Sequence, residues 1–257
     1  MTAAESVPVR DAATVVLLRD GAGGIETWLL TRVAQMAFAA GMSVFPGGRV
    51  DAADVELPLA GADTARIAER FGCDESTARS LVGAAARETF EEAGVLLTAP
   101  PAELAEHRFE VESGRLPFGE LLRSHDLAID AGALRPWARW VTPAGESRRY
   151  DTRFFVGALP DGARAQNVTS ESCAAEWVRV SDALAEAHRG DRLMLPPTVM
   201  TMASIAAFGT VAEVLAAAEH RSLETVRPVV RVGADGRIHA ELPDGTSVTL
   251  PRPAGAP

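Results

Sequence analysis

The sequence predicts an α/β fold with a mixed β-sheet, C-terminal helices and a small β tail. Strand-like runs rich in β-branched residues alternate with longer helical segments, which is typical of this class. Near the end of the chain, two Asp-Gly turns separate three short strand-like runs. For the 257 residues we therefore predict one large domain over 1–225, with an insert at about 49–80, and a β appendage over 226–257.

The N-terminal region predicts a β-hairpin followed by a sharp turn. Ala12–Leu18 is apolar and β-branched, and Glu26–Val33 has the pattern of the returning strand. The glycine-rich Asp20–Gly24 between them is turn chemistry. Phe45–Gly48, with the sequence FPGG, predicts the sharp turn, and Ala52–Gly61 is expected to be a loop.

Two helices are predicted next, the second of them long. Thr64–Phe71 should form a short helix ended by Gly72. The following helix should run from Asp74 to Gly94, with Asp74 or Ser76 as its N-cap and Gly94 in the position of a C-terminal glycine. The later elements expected are a strand starting in Val95–Thr98, helical pieces near Ala102–Glu112 and Phe118–Ser124, strands at Trp137–Thr142, Thr152–Leu159 and Glu176–Val180, and helices at Ser181–Arg189, Pro196–Ala207 and Val211–His220.

Composition excludes several classes of protein. A net charge of −10 argues against general nucleic-acid binding, which needs basic patches to neutralise phosphates. The apolar runs are interrupted by charges well before eighteen residues, and the N-terminus lacks the pattern of a signal peptide, so no membrane association is expected. Two cysteines without metal spacing indicate a reduced compartment. We therefore expect a cytoplasmic protein, with a homodimer left open.

The stretch AAARETFEEAGVLL concentrates carboxylates on one helix. Glu88 lies three and four residues before Glu91 and Glu92, so both pairs are neighbours on the helix surface, and Arg87 is placed to orient Glu91. A solvated helix face is the ordinary explanation of such a run. Clustered carboxylate oxygens also suit Mg²⁺ or Mn²⁺, which bind substrate phosphates at the same time. Phe90 should point the other way and anchor the helix in the core.

This stretch resembles the second half of the Nudix box, Arg-Glu-aliphatic-x-Glu-Glu-x-Gly-aliphatic, with Thr89 standing at an aliphatic position. The residues that fit are Arg87, Glu88, Glu91, Glu92, Gly94 and Val95. FPGG resembles the glycine-bearing start of the box, but 38 residues separate Gly48 from Arg87 where the box has thirteen. The resemblance therefore implies an insert. Counting back from Arg87 places Arg79 where the first acid belongs, with Asp74 or Glu75 as substitutes.

The run Leu29–Asp54, together with the long insert, resembles the coenzyme A diphosphatase branch of the Nudix hydrolases. The superfamily resemblance implies an α/β/α sandwich and Mg²⁺ or Mn²⁺ as the cofactor. Its implied metal ligands are Glu88, Glu91 and Glu92, with Glu88 alternatively the base that orients water. Its implied catalytic residues are Arg87, Glu88, Glu91 and a later loop glutamate, Glu171, with Glu176 next. Its implied substrate-binding residues are Arg32, Gly47, Gly48 and Arg153, and Arg148 and Arg149 are further candidates for phosphate contacts.

The function expected from this resemblance is hydrolysis of a diphosphate linkage in a small nucleotide substrate. Coenzyme A or acyl-CoA is the first candidate, giving 3′,5′-ADP and phosphopantetheine. One alternative is a diphosphatase acting on ADP-ribose, an ADP-sugar or a dinucleotide. The other is a non-catalytic module that binds a nucleotide, which Arg79 at the acidic position would favour slightly.

Overall fold

The computed structural model describes residues 7–32, 41–61, 64–166, 172–232, 238–243 and 245–249. The strands are β1 Val9–Gly21, β2 Gly24–Arg32, β3 Ser43–Val44, β4 Gly47–Arg49, β5 Leu59–Ala60, β6 Thr98–Ala99, β7 Ala128–Asp130, β8 Arg135–Val141, β9 Arg149–Ala158, β10 Ser172–Arg179, β11 Thr225–Val226, β12 Val229–Val232, β13 Ile238–Glu241 and β14 Ser247–Thr249. The α-helices are α1 Thr64–Phe71, α2 Glu75–Ala93, α3 Arg108–Glu112, α4 Phe118–Ser124, α5 Val180–Arg189, α6 Pro196–Ile205 and α7 Val211–Ala218.

The main sheet is mixed and has the order β10-β2-β1-β9-β8-β11. β1 pairs in parallel with β9 from Val9 to Leu18 and forms the predicted antiparallel hairpin with β2. β2 pairs with the C-terminal end of β1. Nearer the N-terminal end of β1, the short strand β4 pairs on the same side through Ala12↔Arg49, Ala13↔Gly48 and Thr14↔Gly47. This arrangement places the FPGG turn at the centre of the sheet.

Both faces of the sheet are covered by helices. Along β1, Val15 and Leu17 pack in one core with α1 and α2, whereas Val16 and Leu18 pack in a second core with α5, α6 and α7. Successive strand residues point to opposite faces, so this alternation follows directly from the apolar run of β1. The predicted α/β/α sandwich is confirmed.

The long helix α2 begins and ends as its sequence predicts. The carboxylate of Asp74 accepts a hydrogen bond from the backbone nitrogen of Thr77, which makes it the N-cap. Gly94 has a φ of 69° and donates its N–H to the carbonyl of Phe90. This left-handed conformation is readily adopted by glycine and ends the helix just after the glutamates.

One prediction of local structure is wrong, and another is confirmed only at its last residue. The expected loop Ala52–Gly61 contains a 3₁₀ turn at Ala52–Glu56 and then β5, because the turn is capped by Asp51 and packs against α2. The strand expected to start in Val95–Thr98 is confirmed as the short β6, which begins at Thr98. Val95, Leu96 and Leu97 are buried in the core with α2, so tertiary packing decides the structure of this apolar run.

The C-terminal residues form a small three-stranded sheet, β12-β13-β14. Ala240 and Leu242 are buried, and Leu242 belongs to the core with α5, α6 and α7. β11 pairs with β8, so the main sheet reaches Val226. The division into domains at 225 and 226 stays a prediction. Among the described residues, no helix is long and apolar enough to cross a membrane.

Candidate active site

The last turns of α2 are fixed to the core on one side. Phe90 is fully buried and stacks on Phe118, with ring centroids 5.6 Å apart. Thr89 is equally buried, and its hydroxyl donates to the carbonyl of Ala85 at 2.7 Å, which explains how a polar residue occupies the aliphatic position. Arg108 of α3 donates to the carbonyl of Glu91 at 2.7 Å. The glutamates therefore sit on a rigid helix end.

Arg87 is held by a carboxylate from the 3₁₀ turn, Asp54. The Nε of Arg87 lies 2.8 Å from one oxygen of Asp54 and its Nη2 3.0 Å from the other, and Asp54 is 1% exposed. Nη2 also donates to the carbonyl of Arg49 at 3.0 Å. Burial lowers the pKa of Arg87. The hydrogen bonds that Arg87 donates to Asp54, together with the charges of Glu88, Asp54 and Glu91, outweigh this effect and raise the pKa above its ordinary value.

Asp54 stands at the position of the first acid of the Nudix box, and the backward count from Arg87 misses it. It stands six residues after Gly48, which is the spacing of the box counted forward from its glycine. Asp74 instead caps α2, and Glu75 accepts a hydrogen bond from Thr64 at 2.5 Å. The extra residues lie between Asp54 and Arg87, where 32 residues replace seven. Counting forward from Gly48 would have found this residue.

Gly83 allows the 3₁₀ turn to approach α2 this closely. A Cβ atom at Gly83 would lie 2.3 Å from the carbonyl oxygen of Asp54. Such a contact cannot exist, so any larger residue would displace the turn. Gly83 lies one helical turn before Arg87, which brings the carboxylate of Asp54 level with the guanidinium.

Glu88 and Glu91 share one nitrogen of Arg87. Nη1 lies 2.8 Å from Oε1 of Glu88 and 3.3 Å from Oε2 of Glu91. Burial raises the pKa of Glu91 to about 7; the Arg87 charge opposes the shift and the neighbouring Glu88 charge adds to it. We name Asp54, Arg87, Glu88 and Glu91 the Arg87 cluster. It contains three carboxylates and one guanidinium.

Glu92 is directed to the FPGG turn. Its Oε2 accepts a hydrogen bond of 2.8 Å from the backbone nitrogen of Gly47, and the residue is 8% exposed. A Cβ at Gly47 would lie 2.5 Å from the carbonyl oxygen of Ala13, and one at Gly48 would lie 2.4 Å from Oε1 of Glu88. The two glycines therefore let the turn fit between β1 and the glutamates of α2.

The carboxylates suit a hard divalent cation by chemistry, since Mg²⁺ and Mn²⁺ prefer oxygen ligands. Within the described ranges, no group of three acidic, histidine or cysteine residues stands ready to hold a metal ion. Glu88 and Glu91 contact Arg87, while Glu92 contacts Gly47. The donor set fits the metal, and the predicted ligand set of Glu88, Glu91 and Glu92 stays a prediction.

A cleft of about 680 Å³ opens beside Glu88. Four arginines line it, and we name it the arginine cleft; they are Arg10, Arg49, Arg148 and Arg149. Two of them, Arg148 and Arg149, are among the phosphate candidates from the sequence. Arg32 and Arg153 do not line it.

Arg153 is instead buried in a second group of charges. It is 3% exposed and forms ion pairs with Asp11 and Asp151. Arg139 adds a bidentate pair with Asp151, at 3.0 and 2.7 Å. We name Asp11, Arg139, Asp151 and Arg153 the Arg139 cluster. With its guanidinium engaged there, Arg153 offers little surface to a phosphate, and its substrate role stays an untested prediction.

The remaining predicted site residues are Arg32, Glu171 and the alternative Glu176. Arg32 ends β2, where its backbone nitrogen bonds to the carbonyl of Met42. Glu171 lies outside the described residues. Its alternative, Glu176, forms an ion pair with Arg192 at 2.8 Å. Shortly before Glu171 in the sequence, the backbone nitrogen of Gln166 donates to the carbonyl of Ala93, the last residue of α2, at 2.8 Å.

Comparison with known proteins places this geometry in a family. The family model described as the NUDT19 Nudix domain matches residues 77–205, half of the chain. The acyl-coenzyme A diphosphatase NUDT19 of Gallus gallus is 28% identical, with 89% of this chain and 77% of that protein covered. The protein of the same name from Homo sapiens is also 28% identical, with coverages of 85% and 71%.

Among solved structures, a NUDIX hydrolase from Alicyclobacillus acidocaldarius matches with a TM-score of 0.70 and 27% identity, over 85% of this chain and 99% of that one. Its fold agrees with the sandwich described above. From its sequence match and its fold, the chain belongs to the NUDT19 Nudix domain family and is a Nudix hydrolase.

Proposed function

We propose that the protein hydrolyses the diphosphate linkage of coenzyme A or acyl-CoA with Mg²⁺ or Mn²⁺, giving 3′,5′-ADP and the corresponding phosphopantetheine. The Arg87 cluster carries the proposal, since its acid at the box position, Asp54, is in bidentate contact with Arg87. The names of the Gallus gallus and Homo sapiens relatives favour the CoA class of substrate.

Each residue of the Arg87 cluster, together with Glu92, has a distinct task in this proposal. Glu88, Glu91 and Glu92 would hold the metal, which when bound would supply positive charge to the diphosphate oxygens and acidity to a bound water. Arg87 orients Glu88 and Glu91 through its Nη1, and Asp54 holds Arg87 in position by accepting a hydrogen bond from its Nε. Glu92, through Gly47, fixes the FPGG turn against the helix. Glu88 is also placed to orient water, because it faces the arginine cleft.

The sequence favours a non-catalytic binding module through Arg79 at the acidic position. In the structure the acid that contacts Arg87 is Asp54, so Arg79 no longer supports this alternative. A diphosphatase acting on ADP-ribose, an ADP-sugar or a dinucleotide would use the same carboxylates, so the substrate decides between the enzyme classes. The cytoplasmic location and the homodimer remain predictions, which fractionation and light scattering can test.

A substrate panel tests the proposal directly. With Mg²⁺ and CoA, acyl-CoA, ADP-ribose, NADH or a dinucleotide, we expect release of 3′,5′-ADP from the CoA substrates to dominate. Glu91→Gln and Glu92→Gln should each lower kcat at least a hundredfold, or roughly 2.7 kcal/mol of barrier. Glu120→Gln, an exposed change on α4, is the matched control and should leave kcat unchanged. Unchanged rates in both site variants would contradict the metal assignment, and no turnover of any substrate would favour the binding module.

A further inference from the structure

We propose that the arginine cleft binds a second phosphate of the substrate, a phosphomonoester dianion set apart from the diphosphate that is cleaved. The inference rests on the proposed function, and in coenzyme A this group is the ribose 3′-phosphate. It assigns a specificity role to Arg10, Arg49, Arg148 and Arg149, none of which belongs to the Nudix box.

The charge of the cleft is opposite to that of the protein. The chain carries a net charge of −10, yet four arginines line this cleft with Asp51 and Glu88 as its acids. Asp51 is engaged by Arg49, whose Nη2 lies 2.7 Å from its carboxylate. A local excess of positive charge within an acidic protein attracts anions to that place.

The arginines come from different elements that the sheet brings together. Arg10 belongs to β1, Arg49 ends β4 and Arg149 begins β9. In the parallel pairing of β1 and β9, Arg10 stands opposite Tyr150, which also lines the cleft. Arg148 precedes β9 directly. The positions are therefore set by the register of three central strands.

Three of these guanidinium groups keep their charge available to a ligand. Within the described ranges, the guanidinium of Arg149 donates only to the carbonyls of Thr142 and Pro143, at 3.1 to 3.3 Å, and carbonyls do not neutralise its charge. Across the described part of the chain, Arg10 and Arg148 make neither an ion pair nor a side-chain hydrogen bond, and both are exposed. Solvated surface arginines are common, but here they converge on a cleft that also contains a proposed metal ligand.

The position of Glu88 connects the cleft to the reaction. Glu88 belongs to the Arg87 cluster and also lines the cleft, so a diphosphate at the glutamates lies at one side of it. A substrate with a second phosphate can then extend towards Arg10 and Arg148. A phosphomonoester carries a charge of about −1.5 to −2 at pH 7, and arginine forks match its oxygens. Dephospho-CoA, which has the diphosphate alone, would leave these arginines without a ligand.

The kinetic test compares CoA with 3′-dephospho-CoA in the full chain with Mg²⁺. We expect the wild type to prefer CoA in kcat/KM, and Arg10→Gln with Arg148→Gln to lower that preference about tenfold, the scale of one charge-assisted hydrogen bond. The matched control is Arg189→Gln, an exposed arginine at the end of α5 paired with Asp191. It should leave the ratio unchanged. Equal kcat/KM for the two substrates in the wild type, or an unchanged ratio in the double variant, would overturn the proposal.

A binding test without catalysis separates this proposal from the proposed function. In EDTA, calorimetry should show tighter binding of 3′,5′-ADP than of 5′-AMP, and the double variant should remove the difference. If the wild type turns over neither CoA nor dephospho-CoA but still discriminates in this way, the proposed function fails and the cleft assignment stands. If it hydrolyses CoA but binds the two nucleotides equally, the cleft assignment fails alone.

Discussion

The Arg87 cluster and the Arg139 cluster are both built from arginine and carboxylate, but their charges are balanced differently. In the Arg139 cluster two arginines face two aspartates, and Arg139 is further satisfied by the carbonyl of Phe71 at 2.9 Å. In the Arg87 cluster one arginine faces three carboxylates, from Asp54, Glu88 and Glu91. The first group is electrically complete, whereas the second has an excess of negative charge.

This difference distinguishes a structural ion pair from a site. Buried charges cost free energy unless they are paired, so a balanced cluster has no need of a further ion. In the unbalanced cluster burial raises the pKa of Glu91 to about 7, and the charge of Glu88 adds to this shift while the charge of Arg87 opposes it. Perturbed groups of this kind are typical of functional sites. The comparison therefore favours the Arg87 cluster as the place where a cation binds.

The largest effects are expected from removing the aspartate that forms the bidentate pair in each cluster, Asp54 or Asp151. Asp54→Ala and Asp151→Ala should each lower the free energy of unfolding by about 3–5 kcal/mol, because each leaves a buried arginine with less compensation. We also expect Mg²⁺ to raise the melting temperature of the wild type. Only Asp54→Ala should abolish this rise, because only the Arg87 cluster orients the proposed ligands. Urea unfolding and thermal melts with and without Mg²⁺ measure both quantities.

Asp51→Ala is the matched control for Asp54→Ala. Asp51 lies 3.9 Å from Arg87 and its side chain is 47% exposed, so its loss should cost less than about 1 kcal/mol. If Asp151→Ala abolished the Mg²⁺ response as completely as Asp54→Ala, the distinction between the clusters would be lost.

A second, smaller effect should appear in the pH dependence of stability. The pKa of Glu91 rises from its ordinary 4.5 to about 7. Between these values the native state keeps a proton that the unfolded state has released, so this group makes stability fall as pH rises. Without metal, Glu91→Gln should therefore raise the free energy of unfolding by up to about 3 kcal/mol at pH 8 and by almost nothing at pH 4.5.

Mg²⁺ should reverse this advantage. A divalent ion compensates the charge of Glu91, so it should raise the melting temperature of the wild type at pH 8 more than that of Glu91→Gln. The control is Glu120→Gln on the exposed face of α4, which should follow the wild type at both pH values. A Glu91→Gln variant whose stability gain is the same at pH 4.5 and pH 8 would contradict the raised pKa.

Local signals explain why much of the fold could be predicted. Thr64–Phe71 is predicted with its observed bounds because Gly72 ends it, and α2 has its cap at Asp74 and its stop at Gly94. The alternating run of β1 and the glycines before β2 fix the hairpin in the same way. These features depend on neighbours in sequence, which is why a single sequence shows them.

The parts that could not be predicted depend on contacts across the chain. Asp54 acquires its role from Arg87, 33 residues later, and its local signal is the spacing of six residues from Gly48, which the count back from Arg87 misses. Arg153 and Arg149 lie four residues apart at the start of β9, yet one is buried in ion pairs and the other lines the cleft. Residues four apart on a strand lie on the same face, so the partners met along β9 decide between these outcomes, and composition around the two residues does not.

The smallest effect that still tests the comparison comes from Gly83, which sets the distance between the 3₁₀ turn and α2. Alanine is favoured over glycine by about 1 kcal/mol within a helix, so Gly83→Ala would stabilise α2 if nothing opposed it. The new Cβ would lie 2.3 Å from the carbonyl oxygen of Asp54, so the turn must move and weaken the contact with Arg87. We expect a net loss of about 1–2 kcal/mol in urea unfolding together with weaker Mg²⁺ binding. Ser80→Ala, in the same helix, is the control and should change the free energy of unfolding by less than about 0.5 kcal/mol without changing the affinity for Mg²⁺. A Gly83→Ala variant that gains stability and keeps its Mg²⁺ affinity would show that the close approach is not what holds Asp54 in place.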